Sequence, residues 1–129
     1  MRDMLKDVVM APQGTGRRAR VKGITVAGKT GSAQVVNLKR NRNRRTSTVS
    51  MKWQEHAMFA AFAPVENAEI AVAVVSENDQ HGGGGLSAAP VAGQIIEAWL
   101  KLKQQREADE ALRLSKSNPP KPSKNPKTF

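Results

Sequence analysis

Lys29, Thr30, Gly31 and Ser32 set a cation, two hydroxyls and a residue without a side chain in one stretch, GITVAGKTGSAQVV, from Gly23 to Val36. Two chemistries use such a set. With Gly23 and Gly28 in front, Lys29 and Thr30 fit G-x-x-x-x-G-K-[ST], a loop whose backbone N–H groups cradle a phosphate where a helix begins. K-T-G is also a signature carried on a strand, where Thr30 and Ser32 fall on one face because side chains alternate. Context separates the two. A phosphate loop needs a buried strand before it, permissive residues inside it and a helix behind it. Here the approach is RRARVK, too charged for a buried strand, and Ile24, Thr25 and Val26 are stiff at χ1. Gly31 and then SAQVV follow without helical periodicity, and Asp79 lies beyond the apolar run that would have to present it to a metal. The residues favour the strand.

Other chemistry-bearing residues are less organised. His56 and His81 share no ligand spacing with other donors, and the chain has no cysteine, which removes disulfide, zinc-thiolate and thiol-nucleophile chemistry. Ser76-Glu77-Asn78 spells S-x-N at the end of an apolar run, whereas no S-x-x-K occurs anywhere. Gly82 to Gly85 lack a following G-K-[ST] and read as a flexible, hinge-like connector. The basic run Arg40 to Arg45 has no interleaved aromatic platform, so a solvated loop is expected there in preference to a nucleic-acid surface.

The elements that must position these residues follow from composition and periodicity. The chain has 129 residues, a formal charge of +10, 39% hydrophobic residues and only 4% aromatics, without tyrosine. That suits one thin core built on Val, Ile, Leu, Ala and Met. No apolar run approaches the ~20 residues that span a bilayer, and the acids in MRDMLKDVVMAPQG do not suit a secretory leader, so no signal or membrane anchor is expected in this chain itself. Arg2 to Met10 reads as a helix with Met4, Leu5, Val8 and Val9 on one side. ITVAGKTGSAQVV reads as one long strand or a strand pair, HAMFAAFAP as a buried strand, and IAVAVVSEN as its hairpin partner. Ser87 is placed to cap a last helix, whose stripe of Val91, Ile95, Trp99 and Leu102 should lie against the sheet. A polar helical extension and a disordered Pro/Lys-rich tail are expected over residues 104–129. The order implies an α+β layer, antiparallel strands with packed N- and C-terminal helices.

Four segments in this order, ITVAGKTGSAQV, HAMFAAFAP, IAVAVVSEN and GGGGLSAAPVAGQIIEAWL, with GTGRRA before them, resemble the last third of a class B penicillin-binding protein, in particular its elongation transpeptidases. The resemblance implies that residues 1–103 are the C-terminal part of a transpeptidase domain with a partial penicillin-binding fold. It also implies partners: D-Ala-D-Ala stem peptides of peptidoglycan, β-lactams, the cell-elongation machinery and an upstream part of the domain carrying S-x-x-K and S-x-N, with no nucleic acid. By the same likeness Lys29 is a catalytic cation that also attracts the substrate carboxylate. Thr30 and Ser32 hydrogen-bond that carboxylate, and Gly31 lets the acyl group lie along the strand. The Ser32 backbone N–H is one oxyanion donor, at a position where the family usually has Thr. The family needs no metal or organic cofactor, and its domain faces the periplasm at the inner membrane. Since the S-x-N here follows K-T-G instead of preceding it, Ser76 to Asn78 is a coincidence of letters. Without nucleophile and base, the chain alone is expected not to turn over. The alternatives are a small basic nucleic-acid or nucleotide binder, or a fragment that docks on another protein through an exposed sheet face.

Overall fold

The computed structural model describes residues 1–34 and 55–117. The expectations for Arg40 to Arg45 and for the tail after residue 117 lie outside the described residues. The chain divides into two compact units, Met1–Ala98 and Trp99–Phe129.

In the first unit, helix α1 (Arg2–Met10) is followed by a single 3-10 turn at Arg17–Ala19 and by strands β1 (Ala27–Ala33), β2 (His56–Ala63) and β3 (Ile70–Ser76). Helix α2 (Ala88–Ser117) contributes its first turns. The strands form one antiparallel sheet in the order β1-β2-β3, with Thr30 opposite Phe59 and Phe59 opposite Val74. The fold class is therefore α+β, antiparallel strands between an N-terminal and a C-terminal helix.

Burial alternates along β2: Ala57, Phe59, Ala61 and Ala63 are buried, while Met58 and Ala60 are exposed. The expected buried strand is buried on one face, where α1 packs on β1. Phe59 is the largest buried side chain, and two glycines make room for its ring. A Cβ at Gly28 would come within 2.7 Å of Phe59 Cζ, and one at Gly16 within 2.7 Å of Phe59 Cε2. Gly28 is thus a packing glycine inside a strand, and no helix follows Lys29 and Thr30.

The long strand expected over ITVAGKTGSAQVV begins only at Ala27. Ahead of it, Thr25 is occupied elsewhere. Its hydroxyl accepts the Val65 N–H at 3.1 Å and donates to Glu66 Oε2 at 2.5 Å, fastening this segment to the β2–β3 connection.

Helix α1 buries the expected side, with Val9 buried and Leu5 and Val8 half-buried, whereas α2 buries a face other than the expected one. Met4 in α1 is exposed. In α2 the buried residues are Ala88, Ala89, Ala92, Gly93 and Ile96, whereas Val91 and Ile95 remain 42% and 43% exposed. The reason is close approach: a Cβ on Gly93 would lie 3.1 Å from Ala19 Cα and 3.2 Å from the Arg18 carbonyl oxygen. A helix that meets backbone this closely must turn its smallest residues inward. Arg20 completes the region, donating from Nε to the Val9 carbonyl (2.7 Å) and from its terminal nitrogen to the Met10 and Ala11 carbonyls. It supplies the cation at the end of α1 that the last turn of that helix lacks.

In the second unit, α2 runs on to Ser117 as a solvent-facing helix. Lys103 lies 5.6 Å from the centre of the Trp99 ring and 3.8 Å from Glu107 one turn on, while Leu102, Leu112 and Leu114 stay exposed. None of the described helices is long and apolar enough to cross a membrane.

Candidate functional site

Strand β1 has one hydrogen-bonded neighbour, β2, so its other edge is free of strands among the described residues. At that end an open cleft of about 650 Å³ is lined by Thr30, Gly31 and Ser32 together with the turn from Gln13 to Arg18 and the glycine loop Gly82–Gly85. Strand alternation sets Thr30 and Ser32 on the same face as Gly28 and Phe59, as expected from the spacing. Thr30 Oγ1 lies 3.2 Å from Thr15 Oγ1, which ties the GTG turn to the strand. Lys29, on the alternate face, does not line this cleft. Its ammonium donates to the Thr30 carbonyl oxygen at 2.8 Å and is exposed.

The glycine loop meets the strand through backbone. A Cβ at Gly83 would lie 3.6 Å from Ser32 Oγ. One on Gly84 would run into the Met58 carbonyl, and one on Gly85 into the Thr15 carbonyl. Gly82 and Gly83 also adopt positive φ, +102° and +88°. Side chains are excluded here by both space and conformation.

This loop, which composition reads as a hinge-like connector, carries an organised set of hydrogen bonds. Asp79, whose side chain is only 3% exposed, accepts the Gly83 N–H at 2.7 Å on one carboxylate oxygen and the Ser87 hydroxyl on the other. The N–H groups of Leu86 and Ser87 both donate to the Gly83 carbonyl at 3.0 Å, and that of Ala89 donates to the Gly84 carbonyl at 2.8 Å. Ser87 precedes α2 as expected, and its hydroxyl donates to Asp79. The Ser87 hydroxyl, followed by the Gly83 N–H, holds the Asp79 carboxyl below the ordinary carboxylate range against the opposing effect of burial.

Sequence reasoning passed over Asp79, Thr15, Arg17 and Arg18. The available signals were an acid four residues before Gly83 and the two arginines directly after the GTG turn. Ser76 and Asn78 do not line the cleft; the Asn78 N–H donates to His56 Nδ1 at 3.0 Å, which gives that histidine a structural partner. His81 is exposed, 3.8 Å from Asp79. Among the described residues no group of three or more His, Asp or Glu side chains is placed to hold a metal.

The arrangement presents three hydroxyl residues, Thr15, Thr30 and Ser32, and strand backbone to a cleft with arginines and no carboxylate in its lining, a setting for an extended anionic ligand.

Comparison with known proteins gives the same direction. The family model described as the penicillin binding protein transpeptidase domain matches residues 1–97. Peptidoglycan D,D-transpeptidase MrdA of Acinetobacter baumannii is 37% identical over 105 residues, 81% of this chain and 15% of that protein. MrdA of Haemophilus influenzae is 41% identical over 98 residues, 75% of this chain and 15% of that protein. Among solved structures, Pseudomonas aeruginosa PBP2 in complex with WCK 5153 matches with a TM-score of 0.54 at 36% identity, covering 77% of this chain and 18% of that one. The chain spans about 15% of the length of the curated relatives it matches.

Proposed function

The chain belongs to the penicillin-binding protein transpeptidase family, and from that membership we propose that it supplies the K-T-G wall of a peptidoglycan D,D-transpeptidase of the MrdA type. The observation that carries the reading is the placement of the Thr30 and Ser32 hydroxyls side by side at a strand edge, under a glycine loop that leaves backbone exposed to a ligand. In the complete site the serine of an upstream S-x-x-K attacks the carbonyl carbon of the penultimate D-alanine. The peptide bond breaks, D-alanine leaves with the serine's proton, and the acyl ester is then taken by an amine of a neighbouring stem peptide. A β-lactam enters the same step and leaves the serine acylated.

Within that sequence Thr30 and Ser32 hold the C-terminal carboxylate, and the Ser32 N–H faces the developing oxyanion. Such a donor contributes about 3–4 kcal/mol to the transition state. Gly31 keeps the strand surface flat where the acyl group lies. The Lys29 ammonium, exposed and among the described residues bound to the neighbouring Thr30 carbonyl, can turn toward an upstream part of the domain and contribute to proton transfer there. The parent site faces the periplasm. By itself the chain binds and does not turn over.

Binding of diacetyl-Lys-D-Ala-D-Ala to the full chain, followed by calorimetry, tests this. Ser32→Ala and Thr30→Val are each expected to weaken binding by about 1–2 kcal/mol, about five- to thirtyfold, and a fluorescent penicillin is expected to leave no covalent label. Unchanged affinity in both variants, or labelling of this chain, would overturn the assignment.

A further inference from the structure

The GRRAR segment spends its arginines unequally. Arg20 is consumed by the backbone carbonyls of Val9, Met10 and Ala11. The Arg17 side chain makes one hydrogen bond among the described residues, a 3.3 Å donation from one terminal nitrogen to the Pro12 carbonyl. Arg18 has none from its side chain, and neither Arg17 nor Arg18 is paired with a carboxylate among the described residues. Both line the cleft that contains Thr30 and Ser32, and no acid lines it with them.

Their placement is built by the fold. The backbone at Arg18 and Ala19 is fixed where the small face of α2 meets it at Gly93, so Arg18 is presented from an anchored turn. Thr15, two residues before Arg17, is held against Thr30 at 3.2 Å. Arg17 and Arg18, with most of their side-chain donors unused among the described residues, therefore line the same cleft as the hydroxyl pair. A guanidinium fork matches a carboxylate with two parallel N–H donors.

We propose that the cleft has a second anion subsite, formed by Arg17 and Arg18, and that its ligand is a peptide carrying a side-chain carboxylate in addition to the C-terminal carboxylate held at Thr30 and Ser32. The inference rests on the peptide-site reading above and extends it to a preference for acidic peptides. The arginines act as specificity residues, selecting which peptide enters, and take no part in bond making.

The test compares two peptides of equal size, acetyl-Glu-D-Ala-D-Ala and acetyl-Gln-D-Ala-D-Ala, titrated into the full chain at low and high salt. The Glu peptide is expected to bind about fivefold more tightly, the upper range for a solvent-exposed ion pair, and added salt should erode that preference. In the double variant Arg17→Gln, Arg18→Gln the ratio should fall to about one. Equal affinities for the two peptides in the wild-type chain would overturn the subsite while leaving the peptide site standing. So would a ratio that survives the double variant. Binding of neither peptide would overturn both. The wild-type comparison requires no variant to fold, and amide-shift dispersion of the double variant reports whether it has.

Discussion

Asp79 shows how one side chain organises a surface that composition alone labels as loose. Its two oxygens take the Gly83 N–H and the Ser87 hydroxyl, so the glycine loop is closed at both ends by one carboxylate. Asp79→Asn keeps the shape but replaces two charge-assisted hydrogen bonds by neutral ones, and the one to Ser87 survives only if that hydroxyl turns from donor to acceptor. It should cost about 1–3 kcal/mol of stability, measured as a shift in the urea midpoint at pH 7. The pH dependence has a definite sign. Because the folded-state carboxyl lies below its ordinary value, its contribution is present above about pH 4 and is lost as pH falls through the folded pKa. Glu66, lowered by the Thr25 hydroxyl, acts in the same direction, so the informative quantity is the acid-side slope that Asp79→Asn removes from the wild-type curve. At this scale Thr30 and Ser32 were legible in the sequence, since strand alternation alone puts them on one face. Asp79 was not, because no local pattern announces that an acid will accept from the glycine loop that follows it. Arg17 and Arg18 were not, because their place in the cleft depends on a glycine loop and a GTG turn brought together across about 70 residues of chain.

Helix α2 carries the clearest difference between pattern and packing. Its larger apolar residues, Val91, Ile95 and Leu102, have helical spacing and suggest the buried stripe, yet the molecule buries Ala88, Ala89, Ala92, Gly93 and Ile96. Periodicity identifies a helix but ranks its faces by side-chain size, and that ranking fails where backbone approaches backbone. Gly93→Leu tests the close approach directly. The added side chain meets Arg18 and Ala19 backbone that cannot swing aside, and overpacking of this kind should destabilise the chain by about 1–3 kcal/mol in chemical denaturation. A substitution at outward-facing Ile95 is the matching control. The strands were easier to read. HAMFAAFAP and IAVAVVSEN form the expected hairpin, as β2 and β3, because a short connection between β-branched or small apolar runs leaves few other choices. The start of β1 was misplaced because Thr25 bonds to Val65 and Glu66, a contact over 40 residues away that no local pattern contains.

At the level of the whole molecule, the ordered segments and the K-T-G strand were sufficient to indicate the family, and residues 1–97 match its domain model. The three-stranded sheet places the strand so that one face meets α1, the GTG turn and the glycine loop, while the other exposes Met58, Ala60, Ala73 and Val75. The proposed function rests on that asymmetry: Thr30 and Ser32 line the cleft on the first face, and the second carries the apolar residues together with Lys29. In the proposed function a D-Ala-D-Ala carboxylate lies on this strand, under the glycine loop. The most direct measurement is an amide chemical-shift map of the isotopically labelled chain titrated with diacetyl-Lys-D-Ala-D-Ala. Saturable shifts centred on Thr30, Gly31, Ser32, Gly83 and Gly84 are predicted. Shifts centred on the opposite face at Ala73 and Val75, or no saturable shift at all, would contradict it.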